Sequence, residues 1–216
     1  GQIDTQQRCA LVHASLNGHL HIVKYLLACD WIQSETRSDI SLFEGAKQAL
    51  VAASSRGHSS IVEELLLSLP ELDVDAVDFV TGENSLTIAS SNGHTDTVSI
   101  LLSRGANNFM KNRKGMTPLL LAVKEGHWNI VERLIQNRAD IEQKDQNSRN
   151  ALMIAAEEGH VGILELLLNK EADHTTIDKD GLSALGWACL RGKLLAAKCL
   201  IEHNADIHHQ DDHQRT

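Results

Sequence analysis

The sequence predicts an all-α solenoid in which pairs of short helices stack on one another. Six glycines recur, each where the first helix of a pair should end and the second begin, and we call these positions corners. Five of the six are followed by histidine, and successive corners are 39, 36, 33, 33 and 33 residues apart. A fixed period of this length is typical of repeat architectures. Leucine and alanine also recur seven and four residues before each corner. The corners are Gly18, Gly57, Gly93, Gly126, Gly159 and Gly192, preceded by Leu11, Leu50, Leu86, Leu119, Leu152 and Leu185 and by Ala14, Ala53, Ala89, Ala122, Ala155 and Ala188.

One unit is seen most clearly in residues 115–141, GMTPLLLAVKEGHWNIVERLIQNRADI. Thr117 and Pro118 begin a first helix, because a threonine oxygen can cap it and proline suits the first helical position. Gly126 ends that helix as a left-handed cap, and an amphipathic second helix follows His127 at once. Neither helix has enough apolar surface to fold alone, so each unit needs copies of itself on both sides.

The helix ends can be predicted in the other units as well. Asn84, Asn150 and Ser183 occupy the capping position of Thr117. A second glycine is expected twelve residues after each corner, and only Gly105 provides it. Where the backbone there is left-handed, a non-glycine residue costs about 1 kcal/mol. The residues at the equivalent positions are Asp30, Leu69, Arg138, Glu171 and Asn204.

The 33-residue period and the Thr-Pro-Leu opening resemble ankyrin repeats, although Leu120 stands where that family has histidine. We expect a single ankyrin-repeat domain over residues 1–216 that is truncated at a seventh repeat. The six repeats are predicted at residues 4–31, 43–70, 79–107, 112–141, 145–174 and 178–207, and the seventh begins at 211–216.

Two connections exceed the basic period. Residues 30–46 are predicted to be an inserted loop, in which Trp31 and Phe43 pack locally rather than present an apolar surface. Residues 70–83 are predicted to be an acidic, solvated loop that begins where Pro70 ends a helix.

The amino-acid composition limits the classes of partner and the cellular compartment that we expect for this protein. A formal net charge of −9 argues against a nucleic-acid backbone or an anionic membrane as the main partner. No apolar run approaches the roughly 18 residues of a membrane span. Cys9, Cys29, Cys189 and Cys199 form no paired motif, so we interpret them as small buried hydrophobes in a reducing compartment. These features predict a cytoplasmic protein.

No catalytic set is apparent. The sequence lacks phosphate-loop, nucleophile-elbow and zinc-protease motifs. The histidines that follow the corners are interpreted as hydrogen-bonded parts of their own corners, and the C-terminal histidines show no preorganised metal-ligand set. We therefore expect no enzymatic activity, no cofactor and no metal. The histidines are His19, His58, His94, His127 and His160 at the corners, and His203, His208, His209 and His213 near the C-terminus.

Function is then expected to come from the surface. The two residues before each corner and the hairpin tips should line an extended concave groove that holds a protein or an extended peptide. A basic patch at a hairpin tip, formed by Lys111, Arg113 and Lys114, is expected beside an acidic stripe of Glu125, Glu157 and Glu158. Such a pattern of charges could fix how a charged partner aligns along the groove. For any single residue an ordinary solvated charge is the alternative, and Trp128 is expected to cap the adjoining helix pair rather than act as an exposed anchor. The predicted partner-binding residues are Arg56, Asn92, Lys111, Arg113, Lys114, Lys124, Glu125, Trp128, Glu157, Glu158 and Arg191.

Three segments resemble the ankyrin array of the TANC/Rolling pebbles family: GLSALGWACLRGK at residues 181–193, LLACDW at 26–31 and EGHWNIV at 125–131. The resemblance implies a large cytoplasmic scaffold with an NTPase-like region before the array and TPR repeats after it. Such scaffolds link membrane receptors to signalling and cytoskeletal proteins at postsynaptic or myoblast-fusion sites, so a receptor tail or another scaffold would be the partner. Two alternatives stay open: a substrate receptor of a ubiquitin ligase, and a spacer or autoinhibitory array that binds its own flanking domains.

Overall fold

The computed structural model describes residues 10–29, 40–78 and 82–212, and within them it is all-α apart from one isolated β-bridge between Val77 and Asn84. The predicted fold class is confirmed. The described residues contain twelve helices. They are α1 (Ala10–Leu16), α2 (Leu20–Leu27), α3 (Ile40–Ser55), α4 (Ser59–Ser68), α5 (Ser85–Ser91), α6 (Thr95–Ser103), α7 (Pro118–Lys124), α8 (Trp128–Gln136), α9 (Ala151–Glu158), α10 (Val161–Asn169), α11 (Ala184–Leu190) and α12 (Leu194–Glu202).

The chain divides into two compact units, Gly1–Asn107 and Asn108–Thr216. In the first unit α3 packs between α1 and α5, while α4 packs between α2 and α6. In the second unit α9 packs between α7 and α11, and α10 contacts both α8 and α12. Each unit therefore has a layer of first helices and a layer of second helices. The recurrent leucines and alanines lie in the core, where Leu50, Ala122 and Leu152 are at most 1% exposed.

The predicted helix caps are confirmed. The side chains of Asn84, Thr117, Asn150 and Ser183 each accept a hydrogen bond from a backbone N–H in the first turn of the helix that follows. Pro118 occupies the first turn of α7. Helix α4 ends at Ser68, just before Leu69 and the proline. The sequence signals for helix ends therefore act locally, as expected.

The first insertion is partly helical, which corrects the predicted loop over residues 30–46. Helix α3 begins at Ile40 and runs for 16 residues. Ala46, Ala49 and Leu50 are buried and follow one another at helical spacing, so the apolar face of α3 extends upstream of the repeat's own opening. Trp31 and the side chain of Phe43 lie outside the described residues.

Three of the corner histidines, His58, His94 and His160, bond to the preceding repeat and not within their own corner, which corrects the role predicted for them. In each case a ring nitrogen lies within hydrogen-bond distance of a carbonyl oxygen at the end of the preceding first helix. The distances from Nε2 are 3.3 Å for His58 and Leu16, 3.1 Å for His94 and Ser55, and 3.1 Å for His160 and Lys124.

This contact helps to explain why three of the corners are glycine. The corner backbone is left-handed, with φ of 77° at Gly18, 71° at Gly57 and 78° at Gly126. A Cβ added at these positions would lie 2.8, 2.5 and 2.8 Å from the imidazole of the following repeat. Glycine is therefore required both by the backbone conformation and by the close approach of the next histidine.

Three of the positions that lack the second glycine are left-handed, as anticipated. Arg138, Glu171 and Asn204 have φ of 64°, 62° and 64°, close to the 83° of Gly105. Leu69 instead has φ of −125°, so the second repeat ends in a different turn. Asp30 lies outside the described residues.

The cysteines do not share one environment, which corrects the prediction that all are buried. Cys199 is buried, and this burial raises the pKa of its thiol. Cys29 is half-buried, whereas Cys189 is exposed because no described residue covers that face of α11. Cys9 lies outside the described residues.

A pair of glycine substitutions separates backbone strain from the contact between repeats. Gly126→Ala should destabilise the protein by about 2–3 kcal/mol, because it strains a left-handed residue and displaces the bonded His160 ring. Gly192→Ala should cost only about 1 kcal/mol, since its φ is 65° but no atom lies within 4 Å of the added Cβ. Urea denaturation measures both, and equal losses would contradict the role of the histidine.

The left-handed positions also offer a stabilising change. Arg138→Gly and Glu171→Gly should each raise the free energy of unfolding by about 1 kcal/mol, because glycine relieves the strain. Lys170→Gly is the matched control: with φ of −97° it gains nothing from glycine and should be neutral or destabilising. The same denaturation assay would refute the assignment if Lys170→Gly were as stabilising as Glu171→Gly.

Candidate protein-interaction surface

In the first unit, the two predicted partner-binding residues differ in their surroundings. Arg56 follows α3 and is exposed. Asn92 follows α5 and is also exposed, but its Nδ2 donates a hydrogen bond of 2.9 Å to the carbonyl of Ser55. Asn92 therefore helps to join the third repeat to the second, in addition to facing solvent.

In the second unit, a row of charged side chains lies where the first helices end. Lys124, Glu125 and Arg191 are exposed, and Glu158 is half-buried. We call these four residues the corner row. They lie at or just after the C-terminal ends of α7, α9 and α11, which pack consecutively. The row places two carboxylates and an arginine at matching positions of three successive repeats.

Glu157 does not belong to the exposed acidic stripe, which corrects the prediction for this residue. It is only 9% exposed. One carboxylate oxygen accepts from Nη1 of Arg149 at 2.6 Å, and the other accepts from Nη2 of Arg191 at 2.6 Å. Two guanidinium groups thus compensate the burial of one carboxylate.

Further residues complete this arrangement, which we call the Glu157 cluster. The Arg149 guanidinium donates to Oδ2 of Asp145 at 3.0 and 2.9 Å. The Cζ atoms of Arg149 and Arg191 each lie 5.6 Å from the ring centroid of Trp187. The indole Nε1 in turn donates to Oδ2 of Asp178 at 2.9 Å. The cluster joins the fifth and sixth repeats and consists of Asp145, Arg149, Glu157, Asp178, Trp187 and Arg191.

Sequence reasoning identified Arg191 and Glu157 but not the cluster that holds them. The four-residue spacing of Asp145 and Arg149 was an available signal for an ion pair. The partners in the sixth repeat were not available from spacing alone, because they lie on another helix pair. The cluster orients Arg191, whose side chain is 53% exposed, so this cation meets solvent in a preorganised position.

The basic hairpin tip is exposed, as expected. Lys111, Arg113 and Lys114 all face solvent. The ammonium of Lys111 also donates to the carbonyl of Lys144 at 2.9 Å, and the carbonyl of Arg113 accepts from Nε2 of Gln146 at 2.9 Å. Part of this tip therefore holds the next hairpin in place.

Trp128, the first residue of α8, is 42% exposed. A Cβ added at Gly162 in α10 would lie 3.9 Å from its Cδ1 atom. The Cδ1 edge of the indole therefore lies near Gly162 of the next helix pair, and a large part of the ring faces solvent.

Two of the C-terminal histidines, His203 and His209, contact backbone carbonyl groups through their imidazole rings. A ring nitrogen of His203 lies 2.8 Å from the carbonyl of Cys199, and one of His209 lies 2.7 Å from that of Gly181. Among residues 10–29, 40–78 and 82–212, no group of three or more potential ligands could hold a metal ion. No helix in the same part of the chain is long and apolar enough to cross a membrane.

Comparison with protein families agrees with this geometry. A model described as ankyrin repeats (3 copies) matches residues 1–78, 49–145 and 129–211. The chain belongs to the ankyrin-repeat family. Ankyrin repeats commonly serve as protein-interaction modules, so the surface of this array is the place to look for function.

Two longer proteins are similar over part of the chain. The ankyrin repeat and KH domain-containing protein mask of Drosophila melanogaster is 34% identical over 122 residues, which is 55% of this chain and 3% of that protein. The corresponding protein mask-1 of Caenorhabditis elegans is 31% identical over 121 residues, which is 55% of this chain and 4% of that protein. The match is thus confined to a small part of each relative.

The two adjacent glutamates at the end of α9 provide a direct test of the Glu157 cluster. Glu157→Ala should destabilise the protein by about 2–3 kcal/mol, because it leaves Arg149 and Arg191 without their shared carboxylate. Glu158→Ala is the control and should change stability by less than about 0.5 kcal/mol. Thermal and chemical denaturation measure both, and similar effects at the two positions would show that the cluster contributes little.

Proposed function

We propose that this chain is a non-enzymatic protein-interaction module of a TANC/Rolling pebbles-like scaffold. It would bind a protein or an extended peptide, such as a membrane-receptor tail or a segment of another scaffold, and link receptors to signalling and cytoskeletal proteins. On this proposal the chain is cytoplasmic and reaches the cell cortex through its partners. Postsynaptic or myoblast-fusion sites are the settings that the family resemblance suggests.

The observation that carries the proposal is the corner row of the second unit. Glu125, Glu158 and Arg191 occupy the same position in three successive repeats, so their spacing is set by the stacking of α7, α9 and α11. Arg191 is further oriented by Glu157 and Trp187. A cation held in one orientation loses less conformational entropy when it pairs with a partner's carboxylate.

The order of charges suggests the chemistry of the partner. A segment that lies along the corner row would meet Glu125 with Lys124 beside it, then Glu158, and then the guanidinium of Arg191. It would be complementary if it presented basic side chains to Glu125 and Glu158 and an acidic side chain to Arg191. Such complementarity fixes the register of a partner and raises its association rate more than its affinity.

The similarity to mask and mask-1 supports a second setting for the same module, an ankyrin array in a protein that also contains KH domains. In either setting this chain would contribute protein binding rather than catalysis. The full-length sequence, by the domains that flank the array, would distinguish the two.

The test is a charge reversal confined to the corner row. The double variant Glu125→Lys, Glu158→Lys should lose the partners that residues 1–216 retain from a cell lysate. With a purified partner its Kd should rise at least about tenfold, or 1.4 kcal/mol, in low salt. Glu157 is left unchanged because its loss would disturb the fold.

The matched control is Glu132→Lys, Glu165→Lys, which makes the same charge change on the second helices α8 and α10. This control should bind as the unmodified chain does. Equal binding by both variants would show that the corner row is not the partner site. Equal loss would show that only net charge matters and would reject a register-specific surface.

A further inference from the structure

A row of apolar side chains runs along the start of the second helices in the second unit. Trp128, Val161 and Leu194 each stand two residues after a corner glycine, in the fourth, fifth and sixth repeats. Trp128 is 42% exposed, Val161 is half-buried and Leu194 is 65% exposed. Leu195, the next residue of α12, is 66% exposed. We call these four residues the apolar ridge. Exposed apolar side chains that lie in one row commonly mark an interaction site.

The exposure of the apolar ridge is a property of this helix position and does not depend on which repeat is last. Trp128 stays exposed although α10 packs beside α8. Asn129 and Gly162 stand where the sixth repeat has Leu195, and both are exposed although another repeat follows each of them. The positions two and three residues after the corner therefore face solvent within the array.

The stacking of the repeats does not require apolar residues at these positions. In the first unit, the second and third repeats have Ser59 and Thr95 two residues after the corner. Leu20 of the first repeat is therefore followed by two hydroxyl residues, and no continuous apolar row forms there. The core of both units is built from other positions of the helices. The apolar ridge is a feature of the second unit that the packing of the core does not explain.

The corner turn places the apolar ridge beside the corner row. The N–H groups of Trp128, Val161 and Leu194 donate to the carbonyl oxygens of their own corner glycines at 3.0, 3.0 and 3.1 Å. The same tight turn is thus closed in all three repeats. The corner row stands directly before these glycines, so its charges run alongside the apolar ridge from repeat to repeat. The two rows form an amphipathic surface, apolar on one side and charged on the other.

The spacing of the apolar ridge matches one face of an α-helix. The second helices α8, α10 and α12 pack consecutively, and packed helices lie about 8–10 Å apart. Successive members of the ridge therefore recur at about that distance. Seven residues of an α-helix span about 10.5 Å and return to nearly the same face. Three residues of a β-strand span about 10 Å but end on the opposite face. A helix with an apolar heptad stripe can thus meet all three repeats in succession.

We propose that the apolar ridge and the corner row together bind one amphipathic α-helix of a partner protein. The helix would lay its apolar stripe along the ridge. It would place basic side chains beside Glu125 and Glu158 and an acidic side chain beside Arg191. The two glutamates would repel an anionic lipid surface, so the charge of the row favours a protein helix. This inference rests on the proposed function, because the corner row supplies the charged side of the same surface.

The test measures binding of a fluorescein-labelled peptide of three heptads to the 216-residue chain by fluorescence anisotropy. The peptide has leucine at a and d, lysine at e and g of the first two heptads, and glutamate at e and g of the third. Charges on both flanks allow either flank to face the corner row. We expect the unmodified chain to bind with a Kd below about 100 μM in low salt. Absence of binding at that concentration would overturn the proposal.

A variant of the apolar ridge decides whether the ridge is the site. Trp128→Ser, Leu194→Thr introduces the residue types that the second and third repeats have at this position, so it should retain the fold. It should raise the Kd for the peptide at least about tenfold. Leu67→Ser is the matched control, because it removes a leucine that is 56% exposed on α4 of the first unit. The control should bind as the unmodified chain does, and equal binding by the ridge variant would overturn the proposal.

The variant Glu125→Lys, Glu158→Lys separates this inference from the proposed function. If the two rows form one surface, the ridge variant and the corner-row variant both weaken peptide binding. A loss with the corner-row variant alone would leave the proposed function standing and overturn the role of the ridge. A loss with the ridge variant alone would reject the corner row as a partner site and, with it, the shared surface.

Two further measurements identify other occupants of the apolar ridge. Sedimentation velocity shows whether the unmodified chain associates with itself. Flotation with phosphatidylcholine vesicles shows whether it binds a lipid surface. We expect neither. Self-association that the ridge variant abolishes would overturn the proposal, because the occupant would then be a second copy. Vesicle binding that the ridge variant abolishes would overturn it in favour of a lipid surface.

Discussion

Within each unit, the close approach of one repeat to the corner glycine of the repeat before it is the constraint on which the stacking depends. At Gly18, Gly57 and Gly126 the imidazole of the next repeat lies where a side chain would stand. The same ring bonds to a carbonyl at the end of the preceding first helix. The missing side chain of a glycine in one repeat thus leaves room for the histidine ring of the next. This coupling fits an architecture whose stability arises from nearest-neighbour interfaces as much as from each repeat.

In the second unit, a polar cluster joins two repeats in addition to the contact between a corner glycine and the next histidine. The Glu157 cluster links the fifth and sixth repeats through two arginines that share one carboxylate and flank one indole. In the sixth repeat Lys193 replaces the corner histidine, and its side-chain carbons lie where a Cβ of Gly159 would stand. The histidine contact is therefore absent at this junction, whereas the cluster is present there. A junction without the common contact is held by a specific one.

Much of the fold could be predicted because the relevant signals are local. The helix caps and the left-handed conformation of the corner glycines are set within one repeat, and each is found where the period places it. Most of the differences from the predicted structure concern contacts between repeats. The spacing of the corner glycines does not reveal that His58 bonds to Leu16 or that Glu157 pairs with both Arg149 and Arg191. Nor does it reveal that Cys189 is exposed. The early start of α3 departs from the period of the repeats, and its sequence signal is the helical spacing of Ala46, Ala49 and Leu50.

These contacts also divide the predicted partner-binding residues into two groups: those that join one repeat to the next, and those that can be substituted without disturbing the stacking. Asn92, Lys111 and Glu157 make hydrogen bonds that join one repeat to the next. A change at any of them would alter stacking, so a loss of binding could not be assigned to the partner. Glu125 follows its helix as an exposed cap, and Glu158 ends its own helix half-buried. Arg191 belongs to both groups, because the bond that orients it toward solvent also joins two repeats. Binding and stacking are therefore separable at Glu125 and Glu158 and coupled at Arg191.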